Sequence, residues 1–265
     1  MASRICIKEI CLDGKLHRVD ISDEYVRTIM CYPYHESSLC KKILPERIKI
    51  IKDANIEYFI EYGNKLVGKM KVLGKGWSAI TTLSIHDNNI RVTKIRRLDS
   101  RRGTLEYEAI ILEYLSPYNI SPRVYLWNRD IIVMDYIKGP SIDDVINSLI
   151  AKNDLVSLRR LLKKLLIKAW LLDILGIDHG ELSRASGHVI CDEKLHEIYF
   201  IDFESAGYSR KIHNATSIAS YVLFRTKISK LLDEEKRLRI INKLRQYKTD
   251  YFLGHLLEIP ELVVY

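Results

Sequence analysis

The chain has 265 residues, 47% of them hydrophobic, and a formal net charge of +8 at neutral pH. That supply of apolar residues suits one bilobed domain with a small appendage, and it excludes a disordered or low-complexity chain. No apolar run approaches the roughly 20 residues of a membrane span, and Met1-Ala2-Ser3-Arg4 leads into mixed charged sequence, so a cytoplasmic protein with no membrane contact is expected. Cys6, Cys11, Cys31, Cys40 and Cys191 form no C-x-x-C pair and are odd in number, which predicts buried thiols and neither a disulfide framework nor a zinc site. Abundant Ile, Lys and Arg with a single glutamine, Gln246, point to a thermophilic source.

Residues 1–62 read as an N-terminal module: a strand at Ile5-Cys6-Ile7, a hairpin turn at Asp13-Gly14, and helices around 22–30 and 36–53. Pro45-Glu46 has the form of a helix start. Such a module either recognises substrate or braces the β-rich segment next to it. Residues 63–137 are β-rich, with strands at Leu66–Leu73, Ser78–Ile85 and Ile90–Ile95, the last two joined by the turn His86-Asp87-Asn88-Asn89. A helix over Thr104–Leu115 and strands at Val124–Trp127 and Ile131–Tyr136 complete this segment.

Residues 138–265 are mainly helical. Ser141 is placed to cap a helix over Ile142–Ile150, and a longer helix covers roughly 154–175. Its apolar stripe is Leu158, Leu161, Leu162, Leu165, Leu166 and Ala169, and its basic side is expected to be solvated. Short strands at Val189–Cys191 and Ile198–Ile201 precede helices around 213–230 and 233–256. The predicted class is therefore α+β.

Several motifs carry chemistry. Gly74-Lys75-Gly76-Trp77-Ser78 sits at a strand turn, where glycines let backbone N–H groups approach phosphate and Ser78 adds a hydroxyl. Lys94, in Val92-Thr93-Lys94-Ile95, lies where a lysine would meet nucleotide phosphates, with Glu108 as its expected partner. Glu106 and Glu113 compete with Glu108 for that pairing. Met134, Asp135 and Tyr136 lie in Ile132–Gly139, which resembles the hinge segment whose backbone groups hold an adenine edge in nucleotide-binding phosphotransferases; a strand-end charge is the alternative for Asp135. Asp178-His179-Gly180-Glu181-Leu182 supplies a carboxylate, Glu181, to orient an attacking hydroxyl, and Ile201-Asp202-Phe203-Glu204 supplies Asp202 to hold magnesium on ATP. His188, at the entry to the next strand, is a second candidate metal-side residue, with Ser186 as its rival.

Taken in order, these motifs resemble the RIO-like atypical protein kinase superfamily over roughly residues 65–225. The long loop His-Gly-Glu-Leu-Ser-Arg with His188 beyond it, the Gly-Lys-Gly-Trp turn and the basic composition look more narrowly like the archaeal RNA kinase family. The resemblance implies a bilobed kinase-like fold, with a β-rich small lobe at 63–137 and a shortened helical large lobe from 138. It also implies transfer of the γ-phosphate of ATP, with Mg2+, to a ribose 2′-hydroxyl of tRNA, and a role in heat tolerance. Glu181 replaces the usual Asp of the catalytic loop, and Glu204 replaces the glycine that lets the metal-binding loop flip, which disfavours a switchable protein kinase.

A polyanionic acceptor requires cations, and Arg96, Arg97, Arg101, Arg102 and Arg184 are the residues expected to contact RNA. The alternatives are a RIO-like serine/threonine protein kinase, a small-molecule kinase and a pseudokinase scaffold that binds RNA. The oligomeric state is not encoded in any motif.

Overall fold

A computed structural model describes residues 3–208 and 211–264. The chain is α+β and divides into two compact units, Met1–Tyr114 with Arg123–Tyr136, and Leu115–Pro122 with Ile137–Tyr265. Among the described residues no helix is long and apolar enough to cross a membrane.

The first unit runs β1 (Ser3–Ile7), β2 (Ile10–Arg18), α1 (Glu24–Cys31), α2 (Ser38–Asp53), β3 (Ile56–Glu61), β4 (Lys65–Val67), β5 (Met70–Val72), β6 (Gly74–Lys75), β7 (Ala79–His86), β8 (Asn89–Arg96), α3 (Glu106–Leu115), β9 (Val124–Trp127) and β10 (Ile131–Asp135). The main sheet is antiparallel in the order β1-β2-β3-β7-β8-β10-β9, with β6 also pairing β7. Of the separate module expected at 1–62, residues 3–61 supply strands of this sheet and the helices that cover it. Asp23 and Ser37 cap α1 and α2 through the backbone N–H groups of Val26 and Cys40. Tyr25, Ile29, Leu44, Ile48 and Ile51 of these helices share one core with Phe59, Ile80, Ile95, Ile131 and Val133 of the strands. Ile60, Leu83, Ile90 and Val92 belong to a second cluster with Ile5 and Leu12.

Several local expectations change. Asp13-Gly14 lies within β2, and the chain reverses instead at Lys8-Glu9, with Lys8 in the left-handed region. Packing overrides the turn signal there, because a Cβ on Gly14 would stand 2.9 Å from Ile60 Cγ2. Pro45 lies inside α2; the buried stripe of Cys40, Leu44, Ile48 and Ile51 carries the helix past it. The expected strand 66–73 breaks into the β4–β5 hairpin at Gly68, whose φ is 60°.

The cysteine expectation is also overturned. Cys6 and Cys11 are cross-strand partners in β1 and β2 and form a disulfide, and Cys31 at the end of α1 is bonded to Cys40 in α2. Both pairings depend on folding that brings the sulfurs together, which spacing alone does not reveal. Cys191 is the free, buried thiol, and burial pushes it up to about 12, so it behaves as a small apolar side chain.

The second unit contains α4 (Ile142–Ala151), α5 (Leu155–Ile174), β11 (Val189–Cys191), β12 (Ile198–Phe200), α6 (Asn214–Arg225), α7 (Glu234–Asp250), α8 (Leu253–Leu257) and α9 (Ile259–Val264). The predicted stripe of α5 is buried. Its basic side does more than meet solvent: Arg159 and Lys163 both pair with Glu261, and Lys168 binds Glu197 and the carbonyls of Asn119 and Ile198. Gly139 admits no side chain, since a Cβ would come within 1.9 Å of the Cys191 carbonyl oxygen where the chain crosses β11.

Asp173 on α5 organises the helices behind the loop that carries Glu181. It accepts hydrogen bonds from the backbone N–H groups of Asn214 and Ala215, from the Asn214 side chain, and from the Tyr247 hydroxyl at 2.6 Å. It thereby satisfies donors at the start of α6. Burial nevertheless holds its carboxyl above the ordinary range.

Candidate functional site

In the first unit, Lys94 lies in β8, flanked in register by Thr81 of β7 and Ile132 of β10. Its ammonium is 2.8 Å from both carboxylate oxygens of Glu108, and both residues are almost wholly buried. The apolar residues Ala109, Ile111 and Leu112 of α3 pack inward beside Glu108. Burying two charges is costly unless they are paired, so this geometry is strongly specified. Lys94 thus meets Glu108, rather than its rivals Glu106 or Glu113.

The glycine turn is tighter than a phosphate loop built only from N–H donors. The N–H of Gly76 donates to Ala79 O at 2.9 Å, and Gly76 O accepts from Arg97. Gly74 lies in β6 opposite Thr81. Trp77 is 91% exposed at the tip, while Ser78 is buried with its hydroxyl unpartnered. The turn is backed by Tyr32, whose ring lies under both Lys75 and Arg97 and whose carbonyl accepts from Leu98 N–H. Arg47 of α2 adds a second brace by donating to the carbonyls of Met30 and Arg96. The helices of residues 24–53 therefore support the edge of this turn.

Met134 packs against the cluster of Ile60, Leu83 and Val92, and Tyr136 meets Tyr62 edge to face. Asp135 acts as a strand-end charge: its carboxylate accepts from Arg91 and from the Tyr125 hydroxyl, and its N–H donates to Arg123 O. Two of the arginines assigned to RNA are likewise engaged within the unit. Arg96 pairs with Asp130 and Arg97 with Asp99, each at 2.6 Å. Arg101 and Arg102 are exposed on the loop after β8, and Arg184 is exposed in the second unit.

In the second unit, Asp178 and Gly207 exchange backbone hydrogen bonds at 2.9 Å, which closes the loop between them. Gly180 and Gly187 take positive φ, allowing the loop to turn at both ends of the segment containing Glu181. Both oxygens of Glu181 are held: Ser205 donates to Oε1 at 2.6 Å, and His188 Nε2 is 2.9 Å from Oε2. Ser205 was not evident from the motifs, and no spacing in the sequence links it to Glu181. Ser186 hydrogen-bonds Tyr221 instead.

His179 lies beneath this group, completely buried. Its Nε2 donates to Ile201 O at 3.1 Å, and its backbone N–H donates to the Asn214 side chain. Burial first, and then the neighbouring His188, push its pKa down to about 4, so the ring is neutral near pH 7. His179 thereby fixes the backbone just before Asp202. Asp202 is left-handed, with φ 64° and ψ 69°, a conformation costing on the order of 1 kcal/mol for a residue with a Cβ. Such local strain is often found where a side chain has to be aimed.

Among the described residues no group of three or more His, Cys, Asp or Glu side chains is arranged to hold a metal ion. Magnesium bound together with phosphates needs only one or two carboxylates, which suits a single aspartate such as Asp202. His188 fits that role poorly, because its Nε2 faces Glu181 and magnesium prefers oxygen. In this structure the His188 ring is engaged in holding Glu181. No protein-family model matches the chain, and no curated protein matches it.

Proposed function

We propose that the protein is an ATP-dependent phosphotransferase acting on an RNA hydroxyl, with a ribose 2′-hydroxyl of tRNA as the acceptor. The observation that carries this reading is the buried Lys94–Glu108 pair beside a glycine turn in a strand-rich unit. Phosphoryl transfer depends mainly on positioned charge, and a lysine fixed by a buried glutamate supplies it. The order of β7, β8, α3, β9 and β10 also suits a kinase small lobe.

In this mechanism Lys94 draws the nucleotide phosphates toward the Gly74–Ser78 turn, where the unpartnered Ser78 hydroxyl donates to a phosphate oxygen. Asp202 would hold magnesium, which when bound would supply charge neutralisation. Glu181 orients the acceptor hydroxyl and takes its proton as the oxygen bonds to the γ-phosphorus and the bond to ADP breaks. Each Glu181 oxygen retains a lone pair after binding Ser205 or His188, so the carboxylate can be held and still accept. The two supports also explain how a glutamate can serve where a shorter aspartate is usual.

The test is incubation with labelled ATP, magnesium and either total tRNA or a generic protein. Label in tRNA is expected. Label in protein alone identifies a serine/threonine kinase, and nucleotide binding without transfer identifies a scaffold.

A further inference from the structure

The cations expected to meet RNA in the first unit are partly spent in ion pairs, whereas a different set in the second is free of ion pairs among the described residues. Along α6 and the 3-10 turn Lys227–Leu231 there are two adjoining hollows of about 250 and 350 Å³. Ser183, Ser217 and Lys248 line the first, Asn147, Lys227 and Lys230 line the second, and Tyr221 and Arg225 belong to both. Among the described residues no ion pair involves Arg225, Lys227, Lys230 or Lys248, and all four are exposed. The acid in the second hollow, Asp143, accepts the Tyr221 hydroxyl at 2.8 Å and so holds the shared wall.

We propose that these hollows form one groove that binds the sugar–phosphate backbone of the acceptor RNA, a proposal that rests on the RNA-kinase reading above. The groove begins at Ser183, two residues beyond Glu181, and Arg225 donates to the Ser183 carbonyl at 3.1 Å. It therefore starts at the end of the loop that carries the proposed acceptor-orienting carboxylate. Each hollow lies at or below the small end of the roughly 300–1,000 Å³ typical of enclosed ligand sites, which suits a strand laid across both.

The lining chemistry favours RNA over a protein partner. A protein interface is anchored by buried aromatic and aliphatic groups, whereas these walls are cationic and rich in hydroxyls. The hydroxyls of Thr216, Ser220 and Thr226 donate to the carbonyls of His213, Thr216 and Val222. The oxygens of Thr216 and Ser220 are left as acceptors, matching ribose 2′-hydroxyl donors, whereas Thr226 Oγ1 already accepts from Ile228 N–H, and the four cations meet phosphates.

The experiment compares the full-length protein with Lys227→Glu/Lys230→Glu and with Lys248→Glu. tRNA binding is followed by fluorescence anisotropy over a salt series, and nucleotide binding by thermal shift. The double variant should lose at least about tenfold in tRNA affinity near 0.1 M salt, with a log–log salt slope shallower by about two, and keep nucleotide binding. Lys248→Glu should lose a smaller amount in the same direction. Unchanged affinity and slope in both variants, or a wild type that binds no tRNA, overturns the groove. If wild-type protein labels tRNA while the variants bind it normally, the groove fails and the RNA-kinase reading stands. If the variants lose tRNA binding while wild-type protein labels only protein, that reading fails and the groove stands.

Discussion

His188 Nε2 sits 2.9 Å from Glu181 Oε2 while Ser205 holds the opposite oxygen, so the longest acidic side chain in the loop is fixed at both ends of its carboxylate. Glu181→Gln keeps the shape but removes the proposed proton acceptor. It should lower single-turnover transfer from labelled ATP by about 10²–10⁴-fold while nucleotide affinity holds. Glu181→Asp should also lose at least about tenfold, because a side chain shorter by one methylene cannot keep both supports. Full activity in Glu181→Gln would remove this residue from the mechanism.

Lys94→Met leaves Glu108 buried without its cation. Urea denaturation should show a loss of about 3–5 kcal/mol, and nucleotide binding should fall. The double change Lys94→Met/Glu108→Leu should recover most of the stability and none of the nucleotide affinity. Recovery of both would mean that the pair is structural only.

His179 gives a pH dependence whose sign can be worked out. Its pKa is about 4 in the folded chain and near 6.5 when unfolded, so between these values the unfolded state binds the additional proton. The stabilising contribution is therefore complete above about pH 6.5 and is lost as pH falls toward 4, by about 3 kcal/mol over the window. His179→Asn should be less stable at pH 7 and should show a flatter profile. Parallel profiles for the two proteins would contradict the assignment.

The Cys31–Cys40 bond closes a short loop between α1 and α2. Loop-closure entropy assigns it about 2–3 kcal/mol. Cys31→Ala/Cys40→Ala should lower the denaturation midpoint by a corresponding amount and increase amide exchange at Lys75 and Gly76, which Tyr32 backs. Exchange unchanged at those two amides would separate the bond from the turn.

Local patterns were legible in the sequence because local rules dominate them. The β7–β8 hairpin turns at Asp87 and Asn88, both left-handed, and the stripe of α5 follows helical spacing. Lys94 and Glu108 could be matched because each lies in a regular element with a recognisable inward face. The remainder depended on distant partners. Arg96 finds Asp130, Asp173 finds Tyr247, and Glu181 finds Ser205, none of which any spacing rule connects. Asp13-Gly14 failed as a turn because its glycine was required for packing against Ile60. The separateness of residues 1–62 failed because β2 and β3 are sheet strands, a relationship invisible to composition.

That last relationship bears on how the protein can be handled. The opening helices look dispensable beside the motifs, yet Tyr25, Ile29, Ile48 and Ile51 cover Phe59, Ile80, Ile95 and Val133. Trimming the chain to its recognisable motifs would strip an apolar sheet face, expose β7 as a raw edge where β3 now pairs, and leave a molecule prone to self-association. Anyone seeking a minimal active fragment should shorten this chain from neither the first strand nor the first helix.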